Sequence, residues 1–145
     1  MSPPRYGVAV LTYNRRAEVL DTVARIASLV DEAAIVVVDN ASSDGTADAL
    51  AAAFPRVRVL RLPHNLGAAA RNEAARCIRA PYVAFADDDT WWTPGALERA
   101  ADVLDAHARL GALTARVLIE PGGREDPTCA AMAASPLPNG LGVPG

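Results

Sequence analysis

The sequence predicts an α/β fold, in which a mostly parallel β-sheet is flanked by helices. The first observation is that short apolar runs alternate with stretches whose apolar residues recur at helical spacing, a pattern typical of parallel sheets with right-handed crossovers. The second is that polar residues follow the ends of the apolar runs, at the sheet edge where ligands bind in such folds. The chain has 145 residues, 51% of them hydrophobic, which is enough for one domain with a proper core.

Four strands are predicted from the apolar runs. The first run is continuously apolar, which indicates a strand that is buried on both faces, and the apolar second and fourth runs indicate buried strands. The third alternates apolar and polar residues with period two, which is typical of a strand nearer a sheet edge. These predicted strands are residues 7–12, 34–38, 57–62 and 83–86.

Four stretches carry the apolar stripe of a helix, and some have end signals. Asp44 precedes Gly45 at the start of the second stretch and is expected to cap it. Thr93 and Pro94 predict the N-cap and the first helical position of the fourth. The predicted helices run through residues 19–30, 47–54, 68–79 and 97–108.

The last part of the chain has a different character. Residues 113–119 are a candidate fifth strand, but the 26 residues from Glu120 onward hold five Pro and five Gly and show no helical or strand pattern. Such a long unstructured segment is unusual inside a compact domain. We therefore divide the chain into an α/β domain, residues 1–119, and a Pro/Gly-rich segment, residues 120–145.

Composition argues against several classes of protein. The net charge of −3 gives no electrostatic basis for binding nucleic acid. The absence of a Gly-x-Gly-x-x-Gly or Walker loop argues against dinucleotide oxidoreductases and P-loop enzymes. No apolar run approaches the length of a membrane span and no secretory signal is visible, so no integral membrane segment is expected. A cytoplasmic location is the default expectation, and peripheral attachment to the membrane stays open.

Three consecutive carboxylates, Asp87, Asp88 and Asp89, stand at the end of the fourth predicted strand. Adjacent acids repel one another unless a cation joins them, and Mg²⁺ or Mn²⁺ favours such oxygen ligands. If the stretch stays extended, side chains alternate, so Asp87 and Asp89 share one side and Asp88 points away. This predicts that Asp87 and Asp89 hold one divalent metal ion. A solvated acidic turn that caps the next helix is the alternative, and the triplet alone leaves it open.

The first two predicted strands also end in polar residues. Thr12, Tyr13 and Asn14 follow the first strand, and Asp39 follows the second. An acid such as Asp39 suits a ribose hydroxyl or a base N–H, so we favour ligand contact over a role in capping the loop through Ser42 and Ser43.

The segment after the third strand contributes Gly67 and Arg71. Gly67 is expected to open a helix whose first turn offers free N–H groups, a natural phosphate cradle. Arg71 lies one turn further on and suits phosphate or base oxygens. A surface salt bridge with Glu73 or a neighbour is the alternative for Arg71.

Taken in chain order, four segments resemble the successive motifs of glycosyltransferase family 2. The resemblance covers roughly residues 5–118 and is specific as a set, although each short motif alone is not. The segments are Val10-Leu11-Thr12-Tyr13-Asn14-Arg15, Val37-Val38-Asp39-Asn40-Ala41-Ser42-Ser43-Asp44-Gly45-Thr46, Asn65-Leu66-Gly67-Ala68-Ala69-Ala70-Arg71-Asn72 and Phe85-Ala86-Asp87-Asp88-Asp89.

The resemblance implies the GT-A fold, here truncated, in which a nucleotide-binding α/β half is followed by an acceptor-binding half. It makes residues 1–119 a nucleotide-sugar-binding domain, and residues 120–145 either a Pro/Gly-rich loop or the start of the missing acceptor half. Members transfer a sugar with inversion from a nucleotide diphosphate donor, here a UDP-, dTDP- or GDP-sugar, usually with Mg²⁺ or Mn²⁺. The acceptor class stays open between a glycan, a lipid-linked molecule and a small molecule.

The resemblance also implies roles for individual residues. The nucleoside pocket is expected to be lined by residues 12–14, with Asp39 on the base and Arg71 on the nucleotide. Asp87 is expected to bind ribose or metal, and Asp89 the metal that bridges the diphosphate. The residues expected at the nucleotide-sugar site are Thr12, Tyr13, Asn14, Asp39, Gly67, Arg71, Asp87 and Asp88.

The chain departs from the family in length. Members carry their catalytic base, a carboxylate, in the acceptor half, so the base is expected beyond residue 145. Glu120, Glu125 and Asp126 are the only late acids, and none lies in a stretch that matches the family's base motif. Apolar surface left exposed where that half packs is expected to favour self-association.

Two other functions were compared with a glycosyltransferase: the sequence argues against the first and leaves the second open. A haloacid-dehalogenase-like phosphatase also starts from aspartates after a strand, but its motif needs Thr or Val four residues after the first Asp, where this chain has Trp91. A nucleotide-sugar-binding module without catalytic activity stays open as the alternative function, because the chain has no assigned base or acceptor site.

Overall fold

The computed structural model describes residues 4–30 and 34–134, which fall into two compact units divided between Ala101 and Asp102. The first unit carries a four-stranded sheet, and the second carries a two-stranded antiparallel pair. The predicted nucleotide-sugar-binding domain, residues 1–119, is defined by function, and it stays a prediction.

The sheet of the first unit is fully parallel, as the alternation of strands and helices predicts. The strands are β1 (Tyr6–Thr12), β2 (Ala34–Asp39), β3 (Arg58–Arg61) and β4 (Tyr82–Asp87). Their spatial order is β3-β2-β1-β4, so the strand predicted to lie nearer an edge does lie at one. The prediction that the fourth strand is buried is wrong, because β4 lies at the other edge and Phe85 is 50% exposed. In the register, Thr12 is paired with Asp39 and Leu11 with Asp87, so three carboxyl ends finish side by side.

Alternation along the central strands builds a core on each face of this sheet. The helices are α1 (Arg16–Leu29), α2 (Thr46–Ala53), α3 (Arg71–Cys77) and α4 (Ala96–Ala106). On one face, Val8, Val10 and Val37 pack with side chains of α1, α2 and α4. On the other face, Val36 and Val38 pack with Ala74 of α3 and its neighbours. Burial on both faces explains why these central strands have continuously apolar sequences.

Two predicted helix starts are wrong. The third helical region begins with a 3₁₀ turn, Gly67–Ala70, and α3 itself spans only Arg71–Cys77. α4 begins at Ala96, and Arg99 N–H donates to the carbonyl of Gly95, so the N-cap lies two residues beyond the predicted Thr93. The Thr93 carbonyl accepts from Ala96 N–H in the turn before the helix.

Asp44 bonds the start of α2 as predicted, but it lies one residue before the N-cap position. Gly45 is the formal N-cap of α2, but Asp44 Oδ1 accepts from the backbone N–H of Thr46, the first helical residue, and from its hydroxyl. Asp44 Oδ2 accepts from Arg16 N–H at 3.2 Å, so this one carboxylate serves the start of two helices.

The second unit corrects the expectation of a structureless tail. It contains β5 (Leu118–Ile119), β6 (Arg124–Glu125) and α5 (Pro127–Ala133). Asp126 caps α5 by accepting from Thr128 N–H. Asp followed by Pro at the first helical position is a sequence signal that could have predicted this cap. Only the last two residues of the candidate strand 113–119 form a strand, and it pairs with β6 rather than with the main sheet. The part of the predicted loop that covers residues 135–145 lies outside the described residues.

No helix within residues 4–30 and 34–134 has the length and apolar character needed to cross a membrane.

Candidate functional site

A cleft opens at the carboxyl edge of the parallel sheet, where the strand ends converge. Its volume is about 360 Å³. Its walls come from the loops after β1, β2 and β3 and from the acidic turn after β4. It is lined by Leu11, Thr12, Tyr13, Arg15, Asn40, Asn65, Gly67, Asp87, Asp88 and Asp89.

The three consecutive carboxylates do not continue the strand. β4 ends at Asp87, and Asp88 and Asp89 form a turn in which Thr90 Oγ1 accepts from the N–H of Asp87 at 3.0 Å. The prediction of an extended stretch through Asp89 is therefore wrong. Its consequence for exposure nevertheless holds, because Asp87 and Asp89 are exposed whereas Asp88 is buried.

Asp88 is held by groups of the protein itself. One carboxylate oxygen accepts from the Thr12 hydroxyl at 3.0 Å, and the other lies 3.0 Å from Arg15 Nη1. Its carbonyl accepts from the buried Thr22 hydroxyl of α1 at 2.8 Å. Burial raises the pKa of Asp88, against the opposing effects of Thr12 and Arg15. Asp88 therefore ties the acidic turn to β1 and α1, although it also lines the cleft where a nucleotide contact is predicted.

Both exposed acids are paired with arginines, one from the loop after β1 and one from the start of α3. Arg71 Nη2 donates to Asp87 Oδ1, and Arg15 Nη1 donates to Asp89 Oδ2 at 3.0 Å. The hydrogen bond that Arg15 donates to Asp89 raises the pKa of Arg15, and the charge of Asp88 raises it further. Arg71 thus forms a salt bridge, as the alternative for it anticipated, but with Asp87 at the cleft; Glu73 pairs with Arg76 instead.

These acids suit a divalent ion only in part. Within the described residues, no group of three or more His, Cys, Asp or Glu side chains is placed to hold a metal. Asp87 and Asp89 each give one carboxylate oxygen to an arginine, which leaves the second oxygen of each for another partner. Mg²⁺ commonly takes one or two carboxylates and completes its shell with water and substrate phosphates. The donor set therefore fits a metal that arrives with a phosphate ligand better than one held by protein alone.

The loop after β1 divides its residues between the cleft and the scaffold. Tyr13 is 48% exposed and lines the cleft, so its ring is open to a ligand. Thr12 also lines the cleft, but it is 1% exposed and donates its hydroxyl to Asp88. Asn14 has φ 51° and binds the loop after β2, because its Oδ1 accepts from Ser43 N–H at 2.8 Å and its N–H donates to Ser42 Oγ. This arrangement gives Asn14 a structural role that the sequence reasoning did not foresee.

Asp39 lies at the end of β2 and is buried. Its Oδ1 accepts from Ser42 N–H at 3.1 Å, so the loop-capping role that was weighed against ligand contact is present. The contact between Asp39 and a base stays a prediction.

Asn40, which sequence reasoning missed, joins the loop after β2 to the loop after β3. Its Nδ2 donates to Asn65 Oδ1 at 2.8 Å and to the Gly67 carbonyl at 3.2 Å, and its Oδ1 accepts from Leu66 N–H at 2.8 Å. Gly67 N–H donates to Asn65 Oδ1 at 2.7 Å, so this one N–H is already bonded, and a phosphate contact at the first turn stays a prediction. Gly67 keeps a place in the cleft wall, and its φ of +57° explains why glycine stands there.

The family model described as glycosyl transferase family 2 matches residues 7–140. The chain belongs to glycosyltransferase family 2. The resemblance inferred from the four motifs is therefore confirmed.

Two curated relatives of this family 2 chain come from Streptomyces hygroscopicus, one from subspecies jinggangensis (strain 5008) and one from subspecies limoneus. Each is a validoxylamine A glucosyltransferase that is 34% identical to this chain over 123 residues. The matches cover 80% of this chain but 28% and 26% of the relatives. The chain thus spans about a quarter of the length of the curated relatives it matches.

Solved glycosyltransferase structures share the fold. TarS 1–349 from S. aureus matches with a TM-score of 0.63 and 23% identity, over 81% of this chain and 40% of that one. The mannosyltransferase PcManGT from Pyrobaculum calidifontis, solved with GDP-Man and Mn²⁺, matches with a TM-score of 0.60 and 29% identity, over 71% of this chain and 33% of that one. These neighbours confirm the predicted GT-A fold.

Proposed function

We propose that this chain is the donor-binding portion of an inverting, metal-assisted glycosyltransferase that uses a nucleotide diphosphate sugar. The observation that carries the proposal is the cleft at the strand ends, with Asp87 and Asp89 exposed in its wall. The relatives support it, because their names describe a glucosyltransferase and a mannosyltransferase bound to GDP-Man and Mn²⁺.

The residues divide the work of donor binding by their exposure. Tyr13 offers an open ring to the nucleoside, and Asp39 lies beside it at the neighbouring strand end. Asp87 and Asp89 would hold Mg²⁺ or Mn²⁺ together with the diphosphate. Arg71, which donates to Asp87 at the cleft, would exchange that carboxylate for a phosphate oxygen.

The transfer itself forms one bond and breaks another. The acceptor hydroxyl oxygen attacks the anomeric carbon of the sugar, and the bond from that carbon to the diphosphate oxygen breaks with inversion. A carboxylate base takes the hydroxyl proton. The metal, when bound, stabilises the negative charge of the departing diphosphate. We assign no base, and we expect it beyond residue 145. A cytoplasmic location and self-association belong to the same proposal.

A binding module without catalytic activity is the second candidate, and the late acids favour it. Asp126 caps α5, and Glu125 lies 3.9 Å from Arg116 in an ion pair. Both carboxylates thus have structural partners within the second unit, which argues against assigning either of them as the catalytic base.

Titration calorimetry with UDP and with GDP, in Mn²⁺ or in EDTA, tests the donor site. We expect Mn²⁺ to strengthen binding, because the acids and the diphosphate repel one another without it. Asp89→Asn should lose this metal-dependent gain. Asp48→Asn is the matched control, because it also removes an exposed acid that pairs with an arginine, Arg61. Equal affinity in Mn²⁺ and EDTA would contradict the metal role, and no binding of either nucleotide would contradict the donor site.

A donor-turnover assay with a panel of acceptors separates the two candidates. We expect this chain to bind donor and to transfer it poorly, because a positioned base and an acceptor wall are both needed for transfer. Efficient acceptor-dependent transfer that is lost in Glu120→Gln, Glu125→Gln or Asp126→Asn would instead place the base within this chain.

A further inference from the structure

Arg15 lies between two of the acids at the cleft. Its Nη1 is 3.0 Å from Asp88 Oδ1 and 3.0 Å from Asp89 Oδ2, and its Nε is 3.9 Å from Glu18. One guanidinium nitrogen is therefore shared by two neighbouring carboxylates. It supplies the positive charge that adjacent acids require in the absence of another cation.

We propose that Arg15 is an internal counterion that competes with the divalent metal ion for Asp89 and moves to the diphosphate when metal and nucleotide bind together. The inference rests on the proposed function, because it takes Asp89 as a metal ligand. It adds a residue that couples the two binding events.

The exposure of the three side chains allows this exchange. The side chains of Arg15 and Asp89 are 43% and 50% exposed, whereas that of Asp88 is 9% exposed. The guanidinium can therefore leave Asp89 without opening the core, while Asp88 keeps its hydrogen bond from Thr12. An exposed pair of this kind contributes little stability, so its exchange costs little.

Charge then decides how the ligands bind. A metal ion on Asp89 would lie close to a guanidinium of the same sign, so metal alone should bind weakly. A diphosphate removes this conflict, because its oxygens suit the planar fork of the guanidinium and Arg15 already lines the cleft. Metal and diphosphate should therefore raise each other's affinity by the same factor.

Mn²⁺ titration of this chain without nucleotide, followed by electron paramagnetic resonance of the free ion, tests the competition. Arg15→Gln is expected to bind Mn²⁺ several-fold more tightly than wild type, and Arg15→Lys, which keeps the charge, is expected to stay near wild type. Arg76→Gln is the matched control, because it removes an exposed arginine that pairs with Glu73 on α3. If Arg15 only anchored the acidic turn, Arg15→Gln would bind Mn²⁺ more weakly, which is the opposite sign.

Calorimetry with UDP tests the coupling. The factor by which Mn²⁺ strengthens UDP binding should be smaller in Arg15→Gln than in wild type. The inference is overturned if Arg15→Gln binds Mn²⁺ no more tightly than wild type, or if Mn²⁺ strengthens UDP binding by the same factor in both proteins. The proposed function still stands in that case, provided that wild type binds UDP more tightly with Mn²⁺. A wild-type chain that binds no Mn²⁺, with or without UDP, overturns the proposed function and the inference with it.

Discussion

Replacing Asn40 by alanine should weaken both the fold and the cleft. Asn40 is 3% exposed and its side chain makes three hydrogen bonds to the segment 65–67. A neutral hydrogen bond contributes about 1 kcal/mol net, which sets an upper value of about 3 kcal/mol. Residues 65–67 are exposed, so water can replace some of the hydrogen bonds that they lose in the variant. We therefore expect the free energy of unfolding to fall by about 2 kcal/mol. Asn65 and Gly67 line the cleft, so UDP affinity should fall several-fold in the protein that remains folded.

Urea denaturation followed by circular dichroism measures the first effect, and calorimetry with UDP and Mn²⁺ measures the second. Asn72→Ala is the matched control, because Asn72 is an exposed asparagine on α3. A loss below about 0.5 kcal/mol, the range of an ordinary surface substitution, would refute the reasoning that Asn40 joins the two loops. If the free energy of unfolding falls as expected but the UDP affinity is unchanged, the loop after β3 does not shape the nucleotide site.

Three further predictions concern single residues. Asp39→Ala should cost about 1 kcal/mol of nucleotide binding, by calorimetry, without unfolding the domain; a collapse in melting temperature with unchanged affinity would show that its bond to Ser42 is its main role. The hydrogen bond from Thr46 holds the pKa of Asp44 below its ordinary value, so the stability that Asp44 contributes is present above about pH 4 and is lost as the pH falls through its lowered pKa. The difference in melting temperature between wild type and Asp44→Ala should therefore shrink in acid, and a difference that grows would contradict this sign. Leu50→Ala, at a fully buried position, should lower the free energy of unfolding by about 2–5 kcal/mol in urea denaturation; a loss under about 1 kcal/mol would mean that the core closes over the cavity.

The parallel sheet could be predicted from the sequence because burial on both faces leaves a strong signal. Val37 and Val38 point to opposite faces, and both are fully buried. The second unit gave no such signal, because β5 and β6 have two residues each and α5 buries no residue. Short elements of this kind follow from local turns and caps rather than from periodic burial.

The site was predictable where it depends on strand ends and was missed where it depends on distant partners. Asp87 and Asp89 follow directly from the end of an apolar run. Arg15, by contrast, meets Asp89 across 74 positions of sequence, and Asn40 meets Asn65 across 25. Nothing local marks such pairs, since only the parallel register brings these loops together. The acidic triplet needs a counterion, so the arginine at position 15, in the loop after the first strand, was the one signal available in the sequence.

Two residues that are not glycine adopt left-handed backbone conformations in the loops beside the cleft, Asn14 with φ 51° and Ala41 with φ 69°. Such conformations cost of order 1–3 kcal/mol and persist only where surrounding contacts impose them. Here the contacts include Ser43 N–H on Asn14 Oδ1 and Asn14 N–H on Ser42 Oγ. Once these bonds break, the backbone relaxes and its conformational strain is released, which favours the open state. Amide hydrogen exchange at Ser43 should therefore proceed by local opening, much faster than at Val37 in the centre of the sheet, so that the rim of the cleft fluctuates while the sheet beneath it stays closed.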